Sequence, residues 1–406
     1  VKSWIEISAQ RLAANYRLLA DAAGADSSVL AVIKADAYGH GAQLCAPVLA
    51  RAGAAWLGVT DVAEGATVRS ALAAEEIAPA QQPRVLVMSE GLDEDAEAVL
   101  EHRLTPVVGS PAQIEALAHT AKRRGIDSVD VHLEIDTGMS RQGVAPGREL
   151  DAVLASFRAQ TIVRLDGVMT HFASAEVTGS HQTAAQRQSF EQAIRQVASI
   201  GRPPSWIHAG NSSTIDNQHD ESGSRECPLC WLHRVARAAS ARPMVRTGLS
   251  LYGYSLPLER EQDYTGPADP LVRPRLQPVM TWKACVTHIR EVEAGTRIGY
   301  NGTFTAPAHM RLALLPLGYA DGLRRELSGT DAKPGGWVLF GSQAAAIVGR
   351  VSMNLTIVDI TTLPSVAVGD EAIVLGDGFT AEDHARIAGT IPYEILCGIK
   401  AARRLL

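Results

Sequence analysis

Short runs of β-branched and aliphatic residues alternate with Ala-rich amphipathic stretches over about the first 250 residues, which is the pattern of repeated strand–helix units. Eight runs read as strands: residues 28–34, 55–60, 84–89, 105–109, 129–136, 165–171, 205–212 and 244–252. Helical stretches such as 113–124 and 183–199 lie between them. Eight such repeats predict an α/β fold, a (β/α)8 TIM-type barrel. An open doubly wound sheet is the alternative, and it is disfavoured because no Gly-x-Gly-x-x-Gly follows the first strand. The texture changes after about residue 257. Pro and Arg cluster over 266–278, and short strands then dominate at 279–290, 311–317, 345–351, 355–360 and 371–375. Glu293-Ala-Gly295, Pro334-Gly-Gly336 and Val368-Gly-Asp370 mark turns, so this part reads as a smaller, mostly-β domain. Residues 216–230 fit neither pattern. They read as an inserted polar loop ending Cys227-Pro-Leu-Cys230, before a helix that begins near Trp231.

Polar residues fall where a barrel would use them, because barrel active sites form at the C-terminal ends of the strands. Lys34 ends the first strand, Arg141 follows the fifth, His171 ends the sixth, and Asn211-Ser212 end the seventh. Arg246 sits in the eighth, with Thr247-Gly248 just after it. Loops after the last two strands commonly hold phosphate, and Asn-Ser-Ser-Thr and Arg-Thr-Gly offer the small hydroxyls and backbone N–H groups this requires. Lys34 closes the apolar run Val29-Leu-Ala-Val-Ile33. A desolvated lysine loses its proton more readily and can form a Schiff base, although a lysine in this position can also simply snorkel. The pattern therefore predicts a phosphate-bearing ligand that faces a lysine.

Composition narrows the partners. The 406 residues carry 38 Lys and Arg against 44 Asp and Glu, a net charge of −6, which disfavours a nucleic-acid binder. No apolar run reaches the length of a membrane span, and five Cys do not make a disulfide scaffold. The chain opens Val1-Lys2-Ser3-Trp4 without an initiator Met or a signal-type apolar segment, a start that says little about compartment; a cytoplasmic location is the default expectation and a periplasmic one stays open. His219, Cys227, Cys230 and His233 are a candidate zinc set; the two cysteines could equally form a disulfide or remain thiols.

The segment Ala31-Val-Ile-Lys-Ala-Asp-Ala-Tyr-Gly-His-Gly41 closely resembles the pyridoxal-phosphate signature of the alanine racemase family, the fold-type III group. Further blocks agree in the same order: Glu134-Ile-Asp-Thr-Gly-Met-Ser-Arg-Gln-Gly143, Met169-Thr-His-Phe172, His208-Ala-Gly-Asn-Ser212, Val245-Arg-Thr-Gly-Leu-Ser-Leu-Tyr-Gly253, Gly299-Tyr-Asn-Gly-Thr-Phe304, Leu315-Pro-Leu-Gly-Tyr-Ala-Asp-Gly322, Val348-Gly-Arg-Val-Ser-Met353 and Pro392-Tyr-Glu-Ile-Leu-Cys397.

The resemblance implies a barrel over residues 8–256 and a β domain made of residues 1–7 with 257–406. It implies pyridoxal 5'-phosphate as cofactor, an amino acid as substrate, and a homodimer with active sites at the subunit interface. Lys34 would hold the cofactor and act as one catalytic base, and Tyr300 from the partner would be the other. Racemisation needs a proton acceptor on one face of the substrate carbon and a donor on the other, so one base per face is the chemical minimum. His171 and Arg246 would support that pair, with Arg246 facing the cofactor's ring nitrogen. Tyr38, Asn211, Ser212, Gly248, Leu249 and Tyr393 would bind the cofactor. Arg141 would contact both cofactor and substrate, and Met353 the substrate.

The implied activity is interconversion of L- and D-alanine, supplying D-alanine for peptidoglycan. Two residues depart from the family pattern. Glu134 stands where many members carry a carbamylated lysine, and it already presents a carboxylate. Asn354 stands where an Asp is usual, which keeps a broad-specificity amino-acid racemase open. A fold-type III decarboxylase would lack the Tyr300 block, a non-catalytic pyridoxal-phosphate carrier would lack a β domain, and a sugar-phosphate barrel enzyme would leave the cofactor blocks unexplained.

Overall fold

A computed structural model describes residues 2–217 and 226–406 of the chain. The chain divides into two compact units. One comprises residues 12–37 and 42–276; the other takes the chain up to Arg11, residues 38–41, and everything from Gln277 onward.

The larger unit is a closed barrel of eight parallel strands. In order around the barrel these are Ser28–Val32, Trp56–Val59, Arg84–Val87, Thr105–Val108, Val129–Glu134, Val163–Met169, Trp206–His208 and Arg242–Thr247, the last returning to pair with the first. A parallel sheet covered by helices buries both faces, so its strands are mostly apolar, and the polar residues they carry, such as His132, Asp166, His208 and Arg246, are buried. Leu30, Leu57, Val85, Leu133 and Val168 are fully buried, and each such side chain stabilises the fold by about 1.5–3 kcal/mol relative to exposure. Local signals set the helix ends. Helix Pro111–Arg124 starts at a reciprocal cap between Ser110 and Gln113 and stops at Gly125, whose φ of 65° closes the last turn.

The seventh and eighth strands are shorter than the sequence suggests. Asn211 caps a new helix, Ser212–Asp216, and the chain after Gly248 tightens into the turn Leu249–Tyr252. Helix Pro228–Ala238 begins earlier than expected because Cys227 serves as its N-cap and Pro228 fills its first position.

The smaller unit has a six-stranded sheet in the order Gln343–Ala346, Trp337–Phe340, Glu371–Leu375, Met280–Cys285, Ser3–Ile7, Ala402–Leu405. A three-stranded sheet runs His288–Val292, Met310–Leu315, Thr356–Asp359. The expected single strand over 279–290 is therefore two strands. Val286 N–H donates to Asp370 O and Thr287 N–H to Leu314 O, so the chain changes sheets at this point. The expected strand over 345–351 survives only at its start, because Gly349 turns the backbone with a φ of 72°. Strands Arg297–Ile298 and Phe304–Thr305 pair and hold Tyr300 at the tip between them, above a small core of Ile298, Ala306, Met310, Leu312 and Val348. Among the described residues, no helix is long and apolar enough to cross a membrane.

Candidate active site

Lys34 follows the first barrel strand and is half-buried. The four residues after it, Ala35, Asp36, Ala37 and Tyr38, all have φ between 51° and 55°. Left-handed backbone costs roughly 1–2 kcal/mol per non-glycine residue, so four in succession need fixed partners. Three partners are visible inside the barrel unit. Ala37 N–H bonds Ile33 O (2.9 Å), Ala35 N–H bonds the Glu64 carboxylate (2.6 Å), and the Asp36 carboxylate accepts Ala42 N–H (2.7 Å). Strain held in this way fixes the backbone at the point where Lys34 leaves the strand.

Arg246 is buried, and its guanidinium organises the barrel interior. Burial lowers its pKa to about 10, with Glu134 opposing and Arg141 adding to the shift, so it stays cationic at neutral pH. A guanidinium can only donate hydrogen bonds. Its Nη2 donates to Thr170 O (2.8 Å) and to His171 Nδ1 (3.1 Å), and its Nη1 donates to His208 Nδ1 (3.3 Å). Both imidazoles must therefore carry their proton on Nε2. His208 Nε2 then donates to His132 Nδ1 (2.9 Å), which puts the His132 proton on Nε2, 3.9 Å from Asp166 Oδ2 and beyond hydrogen-bond reach. Asp166 is held in turn by Arg84 (2.7 Å). One donor thus fixes the tautomers of three histidines.

The histidines are neutral. Burial, followed by Arg246, Arg141 and Lys34, pushes His171 down to about 3. Burial, His132 and Arg246 push His208 far down, and burial dominates the lowering at His132. A free histidine titrates near 6.5, so below that pH the unfolded chain binds protons that the folded barrel refuses. These groups leave stability unchanged above about pH 6.5 and erode it as pH falls from there toward 3, by about 1.4 kcal/mol per pH unit for each histidine. Thermal melts between about pH 7.5 and 4.5 should show this slope, and His208→Gln should make it shallower. A melting temperature that does not change over the acidic half of that range would contradict the assignment.

An anion cradle lies where the seventh and eighth strands end. Ser212 Oγ accepts Gly248 N–H (3.1 Å) and Ser250 N–H (3.3 Å) and pairs with Thr247 Oγ1 (3.1 Å). The buried Ser250 hydroxyl has no hydrogen-bond partner among the described residues. Asn211 has a structural task, since its side-chain oxygen accepts the Ser213 and Thr214 N–H groups at the helix start. A lysine, clustered small hydroxyls beside backbone N–H groups, and a buried donor-only arginine are a donor set that suits a phosphorylated aldehyde with a basic ring nitrogen.

Arg141 is exposed and makes no hydrogen bond or ion pair among the described residues. Asp136 does not pair with it; its carboxylate accepts the N–H groups of Gly138, Met139 and Ser140 instead. Glu134 is buried. Its carboxylate accepts a short hydrogen bond from the Gln142 amide, and Gln142 also donates to Met88 O (2.9 Å). Burial raises the Glu134 pKa against the opposing pull of Arg246, Gln142 and Arg141.

In the smaller unit, Tyr38 is buried with its ring 5.8 Å from that of Tyr393. Burial, then Tyr393 and Cys397, push its phenol well above the ordinary range. Gly39, at a φ of 80°, lies where a Cβ would come within 2.3 Å of Leu396 O, so no other residue fits. Tyr300 and Met353 are 67 % and 56 % exposed. The loops bearing Tyr319 and Met353 are joined by hydrogen bonds from Tyr319 N–H to Ser352 O and from Ala320 N–H to Met353 O. Tyr252 is a core residue, donating its hydroxyl to Val32 O (3.0 Å). Cys227 and Cys230 form a disulfide, and His233 bonds Ser27 (2.6 Å). His219, the fourth candidate zinc ligand, lies outside the described residues, among which no group of three or more metal-type ligands occurs.

Fold and site together define a two-domain barrel enzyme with a lysine at the end of its first strand and an anion cradle at its last two. The N-terminal domain description of alanine racemase matches residues 7–225, and the C-terminal domain description matches residues 279–405. The chain belongs to the alanine racemase family. It is 34% identical over 401 residues to the alanine racemase of Syntrophobacter fumaroxidans, covering 98% of this chain and 95% of that one. It matches the solved alanine racemase of Streptomyces coelicolor with a TM-score of 0.83 at 30% identity, covering 100% of this chain and 97% of the other. A structure from Bartonella henselae, described with covalently bound pyridoxal phosphate, shares the fold with a TM-score of 0.76 at 24% identity, covering 100% of each chain.

Proposed function

We propose that this protein interconverts L- and D-alanine with pyridoxal 5'-phosphate as cofactor. The observation that carries this reading is Arg246: a buried, donor-only cation at the centre of the barrel, flanked by neutral imidazoles. Lys34 would hold the cofactor, and Ser212, Gly248 and Leu249, with Tyr38 and Tyr393, would bind its phosphate. When bound, the cofactor delocalises the electrons left behind after a proton leaves the substrate α-carbon. Arg246 would face its ring nitrogen and, having no acceptor, would keep that nitrogen unprotonated. Arg141 and the Met353 backbone would orient the substrate carboxylate. Lys34 Nζ would move the proton on one face, and Tyr300 Oη from a second copy of the chain would move it on the other. The heavy exposure of Tyr300 and Met353 in a single subunit supports a homodimer that covers them. Purified protein given the cofactor should turn yellow and convert either alanine enantiomer to the racemate. A colourless protein that leaves optical rotation unchanged would refute the reading.

A broader amino-acid racemase is the second reading, favoured by one observation. The Asn354 amide donates to Asp321 (3.4 Å) and removes a negative charge at that position. Relative kcat/KM for alanine and serine under one set of conditions decides between the two.

Glu134 would act as a positioning residue, its fixed carboxylate holding Gln142 and supplying negative charge to Arg141 and Arg246. Glu134→Gln removes the charge and keeps the shape. Hydrogen bonds to charged groups contribute about 1.5–3 kcal/mol, so we expect KM for alanine to rise about tenfold or more, with a smaller change in kcat. Unchanged kinetics would remove Glu134 from the site.

A further inference from the structure

The insertion that precedes helix Pro228–Ala238 ends in a cysteine pair for which the racemase reading has no use. Cys227 and Cys230 are joined by a disulfide across one helical turn. Cys227 is the N-cap, and its Sγ accepts the Cys230 N–H (3.1 Å). Cys230 is exposed and Cys227 is half-buried. We propose that this pair is a thiol–disulfide exchange site that takes electrons from a dithiol.

Three observations support redox chemistry over a structural staple. First, the bond closes a loop with only two residues between the cysteines, and short loops remove the least entropy from the unfolded chain. Second, the same turn is already closed by Trp231 N–H donating to Cys227 O (2.9 Å), so opening the disulfide leaves the helix start bonded. Third, the two sulfurs are unequal. Orphan N–H groups at the start of the eleven-residue helix favour negative charge on Cys227, while Cys230 is the sulfur open to attack. Glu226, the neighbouring carboxylate, is drawn off by Arg234 (2.9 Å), and Arg187 donates to Glu226 O (3.2 Å), so two cations offset its charge.

The exchange follows from this asymmetry. A thiolate of the dithiol attacks Cys230 Sγ, the bond between the two cysteines breaks, and Cys227 leaves as a thiolate facing the helix N–H groups. The second thiol of the reductant then attacks the mixed disulfide and releases Cys230. The protein pair gains two electrons and two protons, and the dithiol loses the same on becoming a disulfide. This inference is independent of the assignment at the barrel mouth.

The test uses the full chain, oxidised in air and then treated with dithiothreitol or with glutathione buffers, and maps alkylated cysteines by peptide mass. Dithiothreitol at millimolar concentration should open the pair in folded protein, and removing it should re-form the bond. Cys227→Ser with glutathione disulfide should accumulate a mixed disulfide on Cys230. In wild-type protein treated with reduced glutathione and quenched early with acid, the mixed disulfide should lie on Cys230 rather than Cys227, because Cys230 is the more accessible and Cys227 the better-stabilised leaving thiolate. A pair that stays closed in dithiothreitol while the protein remains folded, an early mixed disulfide on Cys227 in place of Cys230, or wild-type protein that never forms the bond would each overturn the proposal.

Discussion

Lys34→Ala is expected to leave the protein colourless in the presence of pyridoxal 5'-phosphate and to lower racemisation by at least about 10⁴-fold, because one side chain is both the covalent anchor and a base. Loss of a positioned acid–base group alone removes about 10²–10⁴-fold, and loss of cofactor attachment adds to it. The backbone around Lys34 is set by the left-handed residues 35–38 and their bonds to Ile33, Glu64 and Ala42, none of which involve the lysine side chain. The variant should therefore fold, and an unchanged melting temperature without cofactor would confirm it. Visible absorbance and polarimetry read the outcome. A yellow, active variant would assign the covalent role to another residue.

Tyr300→Phe is expected to lower racemisation by about 10²–10⁴-fold while the protein remains yellow. The loss should be unequal between enantiomers. With one base gone, solvent exchange of the α-proton should persist better from the enantiomer whose proton faces Lys34. Equal, unchanged exchange from both enantiomers would remove Tyr300 from the chemistry. Its exposed place between two two-residue strands makes misfolding an unconvincing explanation for such a loss. A mixture of the two variants adds a test of the dimer. If Lys34 and Tyr300 of one site come from different chains, a mixed dimer has one intact site and one doubly damaged site. Random reassociation should then restore about a quarter of wild-type activity. No recovery, with mixed dimers demonstrated, would place both groups on the same chain.

Much of this was legible in the sequence because the barrel repeats a local pattern. Most strands are short, largely apolar runs, so the polar residues Lys34, His171 and Ser212 after them and Arg246 within the eighth could be located on the barrel from the sequence, while the roles expected of them came from the family resemblance. The smaller unit was harder to read. Val279 through Arg290 looks like one alternating strand, yet the run crosses between two sheets, and that choice is made by Asp370 and Leu314, which are far away in sequence. His132 and its role were missed. The available signal was a histidine inside the apolar strand Val129–Glu134, where a polar ring needs partners. Those partners, His208 and Asp166, sit on other strands, so periodicity in one segment could not name them.

The six-stranded sheet carries a consequence for how the chain is made. Strand Ser3–Ile7 lies between two others: residue 3 pairs with residue 284, and residue 4 with residue 402. This strand is synthesised before the barrel and both of its partners after it, so it must wait for them while the whole barrel is made. Its sequence, Ser-Trp-Ile-Glu-Ile, is an apolar strand left unpaired throughout that interval, the kind of segment that invites aggregation. Removing Ala402–Leu405 should leave one edge of this strand unpaired while its pairing with Met280–Cys285 remains.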